Sequence, residues 1–418
     1  MPSACPMPSA TIRVSRRAQG IDPFYVMEVA KAAAVRAREL AHTDRPMVFL
    51  NIGEPDFTAP PQVQAAAERA IRDGRTQYTD ALGLWPLREA ISGWYASRFG
   101  VAVAPQRIVV TAGASAALQL ACLAAVDPGD DVLMPDPCYP CNRHFVTAAD
   151  GRAVLLPTDA AQRFQLTAAQ VDAAWGPATR GVLLASPSNP TGTSLSREGL
   201  RDLVQTVHDR GGVTLIDEIY LGLSHDPAYG QTALGLSGRN GQALGEQVIS
   251  INSFSKYFIL TGWRLGWLVL PEAWVPAVER LAQNLFICPS TVSQHAALAC
   301  FEPETLAIYE ARRAEFKARR DFFIPALNRL GLTVPVMPDG AFYAWADCTE
   351  ACRAWGIDPH NRQAGSWDFA FQLMERAHLA ATPGRDFGRA EPQRYIRFST
   401  ANAMAQLEEA IHRLSRCL

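Results

Sequence analysis

The sequence predicts an α/β protein with a mostly parallel, seven-stranded sheet in a large domain, followed by a smaller α+β domain. Seven short apolar runs lie between about residues 105 and 270, and segments of helical or turn character separate them. Runs that stay apolar without polar alternation are typical of strands covered on both faces, as in parallel sheets. After residue 290 the pattern changes to long helical stretches with a few short strands, which is typical of an α+β unit.

The individual elements follow from local patterns. The seven predicted strands are RIVVTA, DVLMP, RAVLLP, GVLLAS, VTLID, VISINSF and RLGWLVL. Helical segments such as SAALQLACLAAV and SREGLRDLVQTVHDR lie between them and end at Asp-Pro-Gly or Gly-Gly, which are turn signals. For the smaller domain we expect a helical stretch over 291–330, strands near Leu332–Val336, Phe342–Trp345 and Tyr395–Ser399, and helices near 366–379 and 403–416.

A chain of 418 residues is long enough for two domains. We expect the large domain to span residues 51–290 and the small domain residues 291–418. Residues 1–50 are expected to form an N-terminal segment that joins the small domain. No internal repeat or low-complexity linker separates these parts, so the chain is expected to fold as one interlocked unit.

The composition excludes several classes of protein. A formal net charge of −2 and a pI near 6.5 leave no basic surface for nucleic acid and no polybasic face for a membrane. No stretch approaches the roughly 18 apolar residues of a membrane span, and the N-terminus lacks a signal-peptide layout. Nine scattered cysteines argue against a disulfide framework, so a cytoplasmic location is expected. Cys138 and Cys141 form C-Y-P-C, but no second pair has metal-ligand spacing and no histidine falls in a ligand pattern, so no metal is expected.

Lysine is rare in this chain. Of the 39 basic residues, only Lys31, Lys256 and Lys317 are lysines. A desolvated amine can lose its proton and attack a carbonyl, whereas a guanidinium stays protonated. Lys31 and Lys317 lie in helical segments with solvated faces. Lys256 lies among Ser, Gly and bulky apolar residues in NSFSKYFILTGWRLGWLVL, so it is the candidate for imine formation.

Two turns follow predicted strands at positions suited to ligand binding. In RIVVTAGASAALQLACLA the strand ends at Thr111, and Ser115 opens a helix whose first N–H groups can bind a phosphate. The turn SPSNPTG at 186–192 places Asn189 at the carboxyl end of the run GVLLA, where open α/β sheets bind ligands. An ordinary helix cap at Ser115 and a bare turn at Asn189 are the alternative interpretations.

The run VTLID ends in Asp217, and Tyr220 follows three residues later. A carboxylate at the end of a buried strand must be paired, or its pKa rises and it becomes neutral. The protonated nitrogen of a pyridine ring is a suitable partner. The ion pair keeps that nitrogen protonated, and the protonated ring withdraws electrons effectively. An aspartate that caps a helix or forms a salt bridge is the alternative.

The segment NSFSKYFILTGWRLG at 252–266 is the most specific motif. Ser253 precedes Lys256 by three residues, and Arg264 follows it by eight. The hydroxyl and the guanidinium suit a phosphate dianion, whereas the amine suits a carbonyl. These three groups are therefore expected to converge on one small site.

From about residue 20 to its C-terminus, the chain resembles the class I/II aminotransferases, pyridoxal-phosphate enzymes of fold type I that include aspartate aminotransferase. The motifs that carry the resemblance, in the order and spacing of the family, are NIGEPDF (51–57), QYTDALGLWPLREAI (77–91), TAGASAALQLA (111–121), DPCYP (136–140), SNPTG (188–192), DEIY (217–220), SFSKYFILTGWRLGW (253–267) and YIRFS (395–399). The resemblance implies ping-pong transfer of an α-amino group from an amino acid to a 2-oxo acid, with pyridoxal 5'-phosphate as cofactor.

The resemblance also implies a role for each matching residue. Lys256 is implied to hold the cofactor as a Schiff base and to move the proton of the substrate α-carbon. Asp217 is implied to pair with the pyridine nitrogen, and Tyr220 and Asn189 to hydrogen-bond the phenolic oxygen. The remaining implied cofactor contacts are the phosphate-binding groups Ala114 N–H, Ser115, Ser253 and Arg264, and the ring-stacking residue Tyr139.

Two further roles concern the substrate and the assembly. Arg397 is implied to bind the substrate α-carboxylate bidentately, helped by Asn189 and the backbone of Gly53. Tyr78 is implied to reach the phosphate from a partner subunit, so a homodimer with shared active sites is expected.

The sequence departs from some family members in AQNLFICPSTVSQ, which lacks the arginine that they use to bind a second carboxylate. An apolar or uncharged side-chain pocket is therefore expected, unless Arg143 substitutes. A carbon–sulfur β-lyase and an acyl-transferring synthase of the same fold are alternative activities. The ligand-sensing module of a transcription regulator is disfavoured, because no helix-turn-helix pattern precedes NIGEPDF.

Overall fold

The computed structural model of the protein describes residues 13–23 and 25–418. Its strands are β1 Val48–Phe49, β2 Ile108–Thr111, β3 Asp131–Asp136, β4 Arg152–Pro157, β5 Thr179–Ala185, β6 Val213–Asp217, β7 Val248–Ser253, β8 Gly266–Val269, β9 Tyr343–Asp347, β10 Leu379–Ala380, β11 Thr382–Pro383 and β12 Tyr395–Ser399. Its α-helices are α1 Arg16–Gln19, α2 Tyr25–Glu39, α3 Pro61–Arg72, α4 Trp85–Phe99, α5 Gly113–Ala125, α6 Pro140–Ala148, α7 Ala168–Ala174, α8 Arg197–Asp209, α9 Val275–Leu285, α10 Thr291–Leu298, α11 Pro303–Arg329, α12 Thr349–Ala354, α13 Ser366–Arg376 and α14 Met404–Ser415.

The central sheet has seven strands in the order β2-β8-β7-β6-β5-β3-β4. The strands from β7 to β4 pair in parallel, and β8 runs antiparallel to both β2 and β7. The predicted mostly parallel, seven-stranded sheet is therefore confirmed. The chain reverses between β7 and β8 through turns rather than a crossover helix, which is the connection an antiparallel pair allows.

Helices cover both faces of the central sheet, which explains why its strands are continuously apolar. Adjacent residues of β6, Leu215 and Ile216, enter different hydrophobic clusters because successive side chains of a strand point to opposite faces. Leu215 shares its cluster with Leu120 of α5, whereas Ile216 shares its cluster with Leu203 of α8. Successive residues of β6 are therefore both buried, one on each face of the sheet, as is general in α/β proteins.

A second, three-stranded antiparallel sheet has the order β11-β12-β9 and packs against α11, α13 and α14. The prediction of a strand at Leu332–Val336 is wrong, since this segment forms a single bridge between Thr333 and Asp347. Pro335 within it has no backbone N–H for a sheet ladder. The predicted helical stretch over 291–330 is divided into α10 and α11, and Pro303 opens α11 at a position that favours proline.

The N-terminal segment contacts residues near the C-terminus. Strand β1 pairs in parallel with β10. The Asp386 carboxylate accepts hydrogen bonds from the backbone N–H groups of Tyr25, at 3.1 Å, and Val26, at 2.6 Å, at the start of α2. These contacts agree with an N-terminal segment that joins the smaller unit, while the exact division at residues 50 and 290 stays a prediction.

Three further features of the described residues bear on function. None of their helices has both the length and the apolar character needed to cross a bilayer. Nowhere in residues 13–23 and 25–418 do three His, Cys, Asp or Glu side chains form a group that could hold a metal ion. Eight cysteines in this part of the chain carry free thiols.

Candidate active site

A cavity of about 440 Å³ lies where three neighbouring parallel strands end. Ala185, Asp217 and Ser253 are the last residues of β5, β6 and β7, and all three line the cavity. Open α/β sheets bind ligands at this carboxyl edge. Eleven of the twelve predicted site residues line it: Gly53, Ala114, Ser115, Tyr139, Asn189, Asp217, Tyr220, Ser253, Lys256, Arg264 and Arg397.

The connection between β7 and β8 carries Lys256 into the cavity. The Lys256 Nζ donates a hydrogen bond to the carbonyl oxygen of Gly53 at 2.7 Å. Burial, and next the nearby Arg397 guanidinium, lower the pKa of Lys256 to about 8. A larger fraction of this amine is therefore neutral near pH 7 than in an ordinary lysine, and the neutral amine is the nucleophile.

Asp217 is buried at the end of β6. Its Oδ1 accepts a hydrogen bond from the backbone N–H of Ile219 at 3.1 Å, and the Asn142 side chain also hydrogen-bonds the carboxylate. Desolvation raises the pKa of Asp217 to about 7, although these hydrogen bonds and the Lys256 charge oppose the rise. Because burial disfavours the lone negative charge, a cationic ligand atom beside this carboxylate would stabilise it.

The start of α5 forms a site for an anion. Its N-cap residue, Ala112, has no side-chain hydrogen bond to the helix, so the first N–H groups are left for a ligand. Ala114 and Ser115 of the first turn line the cavity. Ser253 also lines the cavity, and its Oγ accepts a hydrogen bond from the backbone N–H of Ser255 at 3.0 Å.

Gly113 leaves room for the Arg264 side chain at this helix start, and Gly266 lets strand β8 approach the backbone of the same turn. A Cβ at Gly113 would be 2.6 Å from Nη2 of Arg264, and a Cβ at Gly266 would be 2.8 Å from the backbone nitrogen of Ala114. Arg264 has a φ of +52°, and its Nη1 donates to the carbonyl oxygen of Thr261 at 2.9 Å. A guanidinium beside uncapped N–H groups suits a phosphate dianion.

Arg397 of β12 faces the cavity from the smaller sheet. Its Nη1 donates to Oδ1 of Asn189 at 2.8 Å, and its Nη2 donates to the carbonyl oxygen of Asn51 at 2.7 Å. Its Nε has no hydrogen-bond partner within the described part of the chain. The hydrogen-bond partners of this buried guanidinium are neutral, so a carboxylate ligand would supply an opposite charge in direct contact with it.

Sequence reasoning misses two residues of the site. Tyr343 of β9 lines the cavity, and its hydroxyl lies 2.7 Å from the hydroxyl of Tyr220. Within FYAWAD this tyrosine resembles an ordinary core aromatic residue, so no local pattern marks it. Asn142, the partner of Asp217, follows Tyr139 by three residues at the start of α6. That spacing from a predicted ring-stacking residue is the signal that could have found it.

Tyr78 is the predicted site residue that does not line this cavity. Its side chain is 81% exposed. The neighbouring Gln77 carbonyl accepts from Thr291, and the Thr79 hydroxyl accepts from Gln294, so α10 holds this segment. The role predicted for Tyr78 requires a second subunit and stays a prediction.

Comparisons with known proteins agree with this arrangement. The chain matches the family model of aminotransferase class I and II over residues 45–414. Valine–pyruvate aminotransferase of Mycobacterium tuberculosis is 38% identical over 409 residues, which cover 98% of this chain and 99% of that protein. Aspartate aminotransferase of Rhizobium meliloti is 34% identical over 412 residues, covering 97% and 98%. A solved aminotransferase structure from M. tuberculosis, 37% identical, has a TM-score of 0.87 and covers 97% of this chain and 99% of that one.

The fold and the cavity, together with these similarities, define a pyridoxal-phosphate-dependent transferase of fold type I. The chain belongs to the aminotransferase class I and II family. It acts on small-molecule amino acids and 2-oxo acids, as this family does. The predicted amino-group transfer is thereby confirmed, and nothing in the comparisons supports the β-lyase alternative.

The residues present fit pyridoxal phosphate. A buried carboxyl with a raised pKa, Asp217, suits the protonated ring nitrogen, and an amine with a lowered pKa, Lys256, suits the aldehyde. The uncapped start of α5 with the adjacent Arg264 guanidinium suits the phosphate. Each reactive part of the cofactor thus has a chemically matched group in one cavity.

Gly113→Ala is expected to weaken cofactor binding by about 10- to 100-fold. The added methyl group would displace the Arg264 guanidinium, and a charge-assisted hydrogen bond is worth about 1.5–3 kcal/mol. Fluorescence titration of the cofactor-free protein measures the affinity. Gly100→Ala is the matched control, because Gly100 also has positive φ but has no atom within 4 Å of an added Cβ. An equal loss in both variants would contradict the predicted role of this helix start.

Proposed function

We propose that this protein transfers the α-amino group of an amino acid with an apolar or uncharged side chain to a 2-oxo acid by a ping-pong mechanism. The observation that carries the proposal is the partly buried amine of Lys256, which interacts electrostatically with both Asp217 and Arg397 in one cavity. The Asp217 carboxylate suits the cofactor ring, and the Arg397 guanidinium suits the substrate α-carboxylate. A substrate held by Arg397 would therefore lie within the same cavity as the amine.

The side-chain preference rests on the remaining walls of the cavity. Four of the residues that form them are apolar: Val26, Met27, Ala30 and Ile52. Among the described lining residues, Arg264 and Arg397 carry the only guanidinium groups, and Arg143 lines a different cavity. A second substrate carboxylate would therefore lack a cation of its own. The name of the 38% identical relative, valine–pyruvate aminotransferase, supports valine and pyruvate as the first pair to test.

The proposed chemistry assigns one task to each polar group. Bound pyridoxal phosphate supplies an aldehyde that condenses with amines and a ring that withdraws electrons from the bond to be broken. The Asp217 carboxylate keeps a proton on the ring nitrogen by its negative charge. The Tyr220 hydroxyl donates to the phenolic oxygen, as does the Asn189 amide nitrogen, since the Asn189 Oδ1 already accepts from Arg397. The Lys256 Nζ, when it is not bonded to the cofactor, takes up the α-proton of the substrate.

Arg397→Ala is expected to raise KM for the amino donor by about 30-fold or more, with a smaller fall in kcat. Truncating one partner of a buried charge pair costs about 2–5 kcal/mol, and here the loss falls on binding of the α-carboxylate. Steady-state kinetics with the amino donor measure both constants. Arg394→Ala is the control, because Arg394 pairs with Asp347 and Glu391 outside the cavity. An unchanged KM in the Arg397 variant would overturn the assignment.

The proposed assembly is a homodimer in which Tyr78 of each subunit completes the site of the other. Tyr78 is exposed beside α10, and Leu285 and Ile287, just before that helix, are also exposed apolar residues. Burying such residues would favour association with a second copy. Sedimentation equilibrium of the cofactor-loaded protein tests this proposal, and a monomeric mass would reject it.

The proposed location is the cytoplasm. Support comes from the nine cysteines, which are scattered along the sequence and argue against a disulfide framework. Disulfide frameworks are typical of proteins in oxidising compartments. Cell fractionation with antibody detection tests the proposal, and recovery in an oxidising compartment would reject it.

The test of the proposed function is a panel of single amino acids mixed with the purified, cofactor-loaded protein. A donor converts the absorbance of the lysine-linked cofactor into that of its amine form, and addition of pyruvate restores the first spectrum. We expect conversion by valine or alanine and little conversion by aspartate. Release of pyruvate and ammonia without that conversion would contradict transamination, and preferential conversion by aspartate would contradict the apolar pocket.

A further inference from the structure

Tyr343 lies against three residues that line the cavity, namely Tyr220, Arg397 and Gly53. It belongs to β9, it is 2% exposed, and its hydroxyl lies 2.7 Å from that of Tyr220. The centroid of its ring lies 4.4 Å from the guanidinium carbon of Arg397. A Cβ at Gly53 would lie 2.0 Å from the Tyr343 hydroxyl oxygen, so Tyr343 occupies the space that any side chain at position 53 would need.

We propose that Tyr343 is a positioning residue that acts on the cofactor through Tyr220 and on the substrate carboxylate through Arg397. Its hydroxyl directs the proton of Tyr220 into the cavity, and its ring holds the Arg397 guanidinium in place. The inference rests on the proposed function, because Tyr220 and Arg397 must have the roles assigned to them there.

The direction of the hydrogen bond between the Tyr343 and Tyr220 hydroxyls follows from the number of protons that each hydroxyl can donate. Each tyrosine hydroxyl has one proton to donate. When the Tyr220 proton is given to a phenolic oxygen in the cavity, the 2.7 Å contact between the two hydroxyls persists only if Tyr343 donates. Burial raises the pKa of Tyr343, and the positive charge of Arg397 near its ring opposes that rise and so favours donation by the Tyr343 hydroxyl. A hydrogen bond received by the Tyr220 oxygen in turn strengthens the bond that Tyr220 donates.

The ring of Tyr343 has a separate effect. Arg397 is held at its ends by Asn189 and Asn51, and the flat guanidinium also lies near the Tyr343 ring. Contact between a guanidinium and an aromatic ring is favourable, more so when both are buried. The ring therefore fixes the plane of the guanidinium before the substrate carboxylate arrives, which lowers the cost of ordering this group on binding.

Two variants separate the two effects. Tyr343→Phe removes the hydroxyl and keeps the ring. We expect the pH midpoint of the absorbance change of the lysine-linked cofactor to rise by about half a unit, because a weaker Tyr220 donor stabilises the phenolate less. KM for the amino donor should stay close to that of the unsubstituted protein. Tyr343→Leu removes the ring as well, and KM should then rise by about 3- to 30-fold.

The pH midpoint also depends on the charged groups around Lys256, and neither substitution changes them. These groups are Arg397, Glu54, Arg264 and Asp217. Tyr309→Phe is the matched control, because Tyr309 is fully buried and donates its hydroxyl to Cys300 at 3.3 Å, outside the cavity. The control is expected to leave the midpoint and KM unchanged. Thermal unfolding of each variant separates loss of fold from loss of positioning.

Specific results would overturn the inference. A midpoint that is unchanged or lower in Tyr343→Phe excludes the action through Tyr220. A KM that is the same in Tyr343→Leu and Tyr343→Phe excludes the action through Arg397. Failure of the proposed function is distinguishable, because then amino donors would not convert the cofactor even in the unsubstituted protein.

Discussion

Replacing Lys256 with alanine is expected to abolish transamination, lowering the rate by at least about 10⁴-fold. Among the described residues that line the cavity, Lys256 carries the only primary amine. Its pKa is lowered to about 8 by burial, so it can serve both as the nucleophile and as the base for the α-proton. Steady-state turnover of the amino donor with a 2-oxo acid measures the loss.

The matched controls are Lys31→Arg and Lys317→Arg, which are expected to keep full activity. Lys317 forms an exposed salt bridge with Asp321, and Lys31 lies exposed on α2. Borohydride reduction of the cofactor-loaded protein, followed by peptide mapping, should place the label on Lys256. Sustained turnover in Lys256→Ala, or a label on either other lysine, would refute the assignment of this amine.

Asp217→Asn is expected to lower kcat by about 10²- to 10³-fold while the cofactor stays bound. The amide keeps the size of the side chain but removes the negative charge, and losing one partner of a buried ion pair costs about 3–5 kcal/mol. The groups around the phosphate and Lys256 are untouched, so binding persists. Single-turnover absorbance kinetics with the amino donor measure the effect on the chemical step.

Glu218 provides the control for Asp217, since it is the next residue and is also a fully buried carboxyl. It accepts hydrogen bonds from Thr232, Ala233 and Ser250, and it does not line the cavity. Glu218→Gln is expected to lower the temperature of unfolding and to leave kcat close to its starting value. A near-normal kcat in Asp217→Asn would show that this carboxylate is not needed to keep the cofactor ring nitrogen protonated.

The strands of the central sheet, and two residues that line the cavity, could be recognised in the sequence for physical reasons. Strands buried on both faces must be apolar along their whole length. All seven strands of the central sheet could therefore be recognised in the sequence as short apolar runs. Asp217 was visible because a carboxyl at the end of such a run is costly without a partner. Lys256 was visible because the chain uses arginine for nearly all other positive charges.

The missed features arise from packing between segments far apart in the chain. Tyr343 contacts Tyr220, which lies 123 positions away in the sequence, and no local pattern near either tyrosine indicates this contact. The apolar wall supplied by Val26 and Met27 likewise depends on how α2 lies over the cavity. The segment Leu332–Val336 has an apolar pattern, but only tertiary structure shows that it forms one bridge instead of a strand. The role predicted for Tyr78 requires a second chain and stays a prediction.

The hydrogen bond between Arg397 and the carbonyl oxygen of Asn51 joins residues 346 positions apart. During translation, the ribosome must therefore release β12 before Arg397, the arginine proposed to bind the substrate carboxylate, can meet Asn51. Asp217 and Lys256 emerge much earlier, and the central sheet around them ends at Val269. The residues proposed to hold the cofactor are thus synthesised before the arginine proposed to bind the amino acid, because the chain leaves the ribosome from its N-terminus.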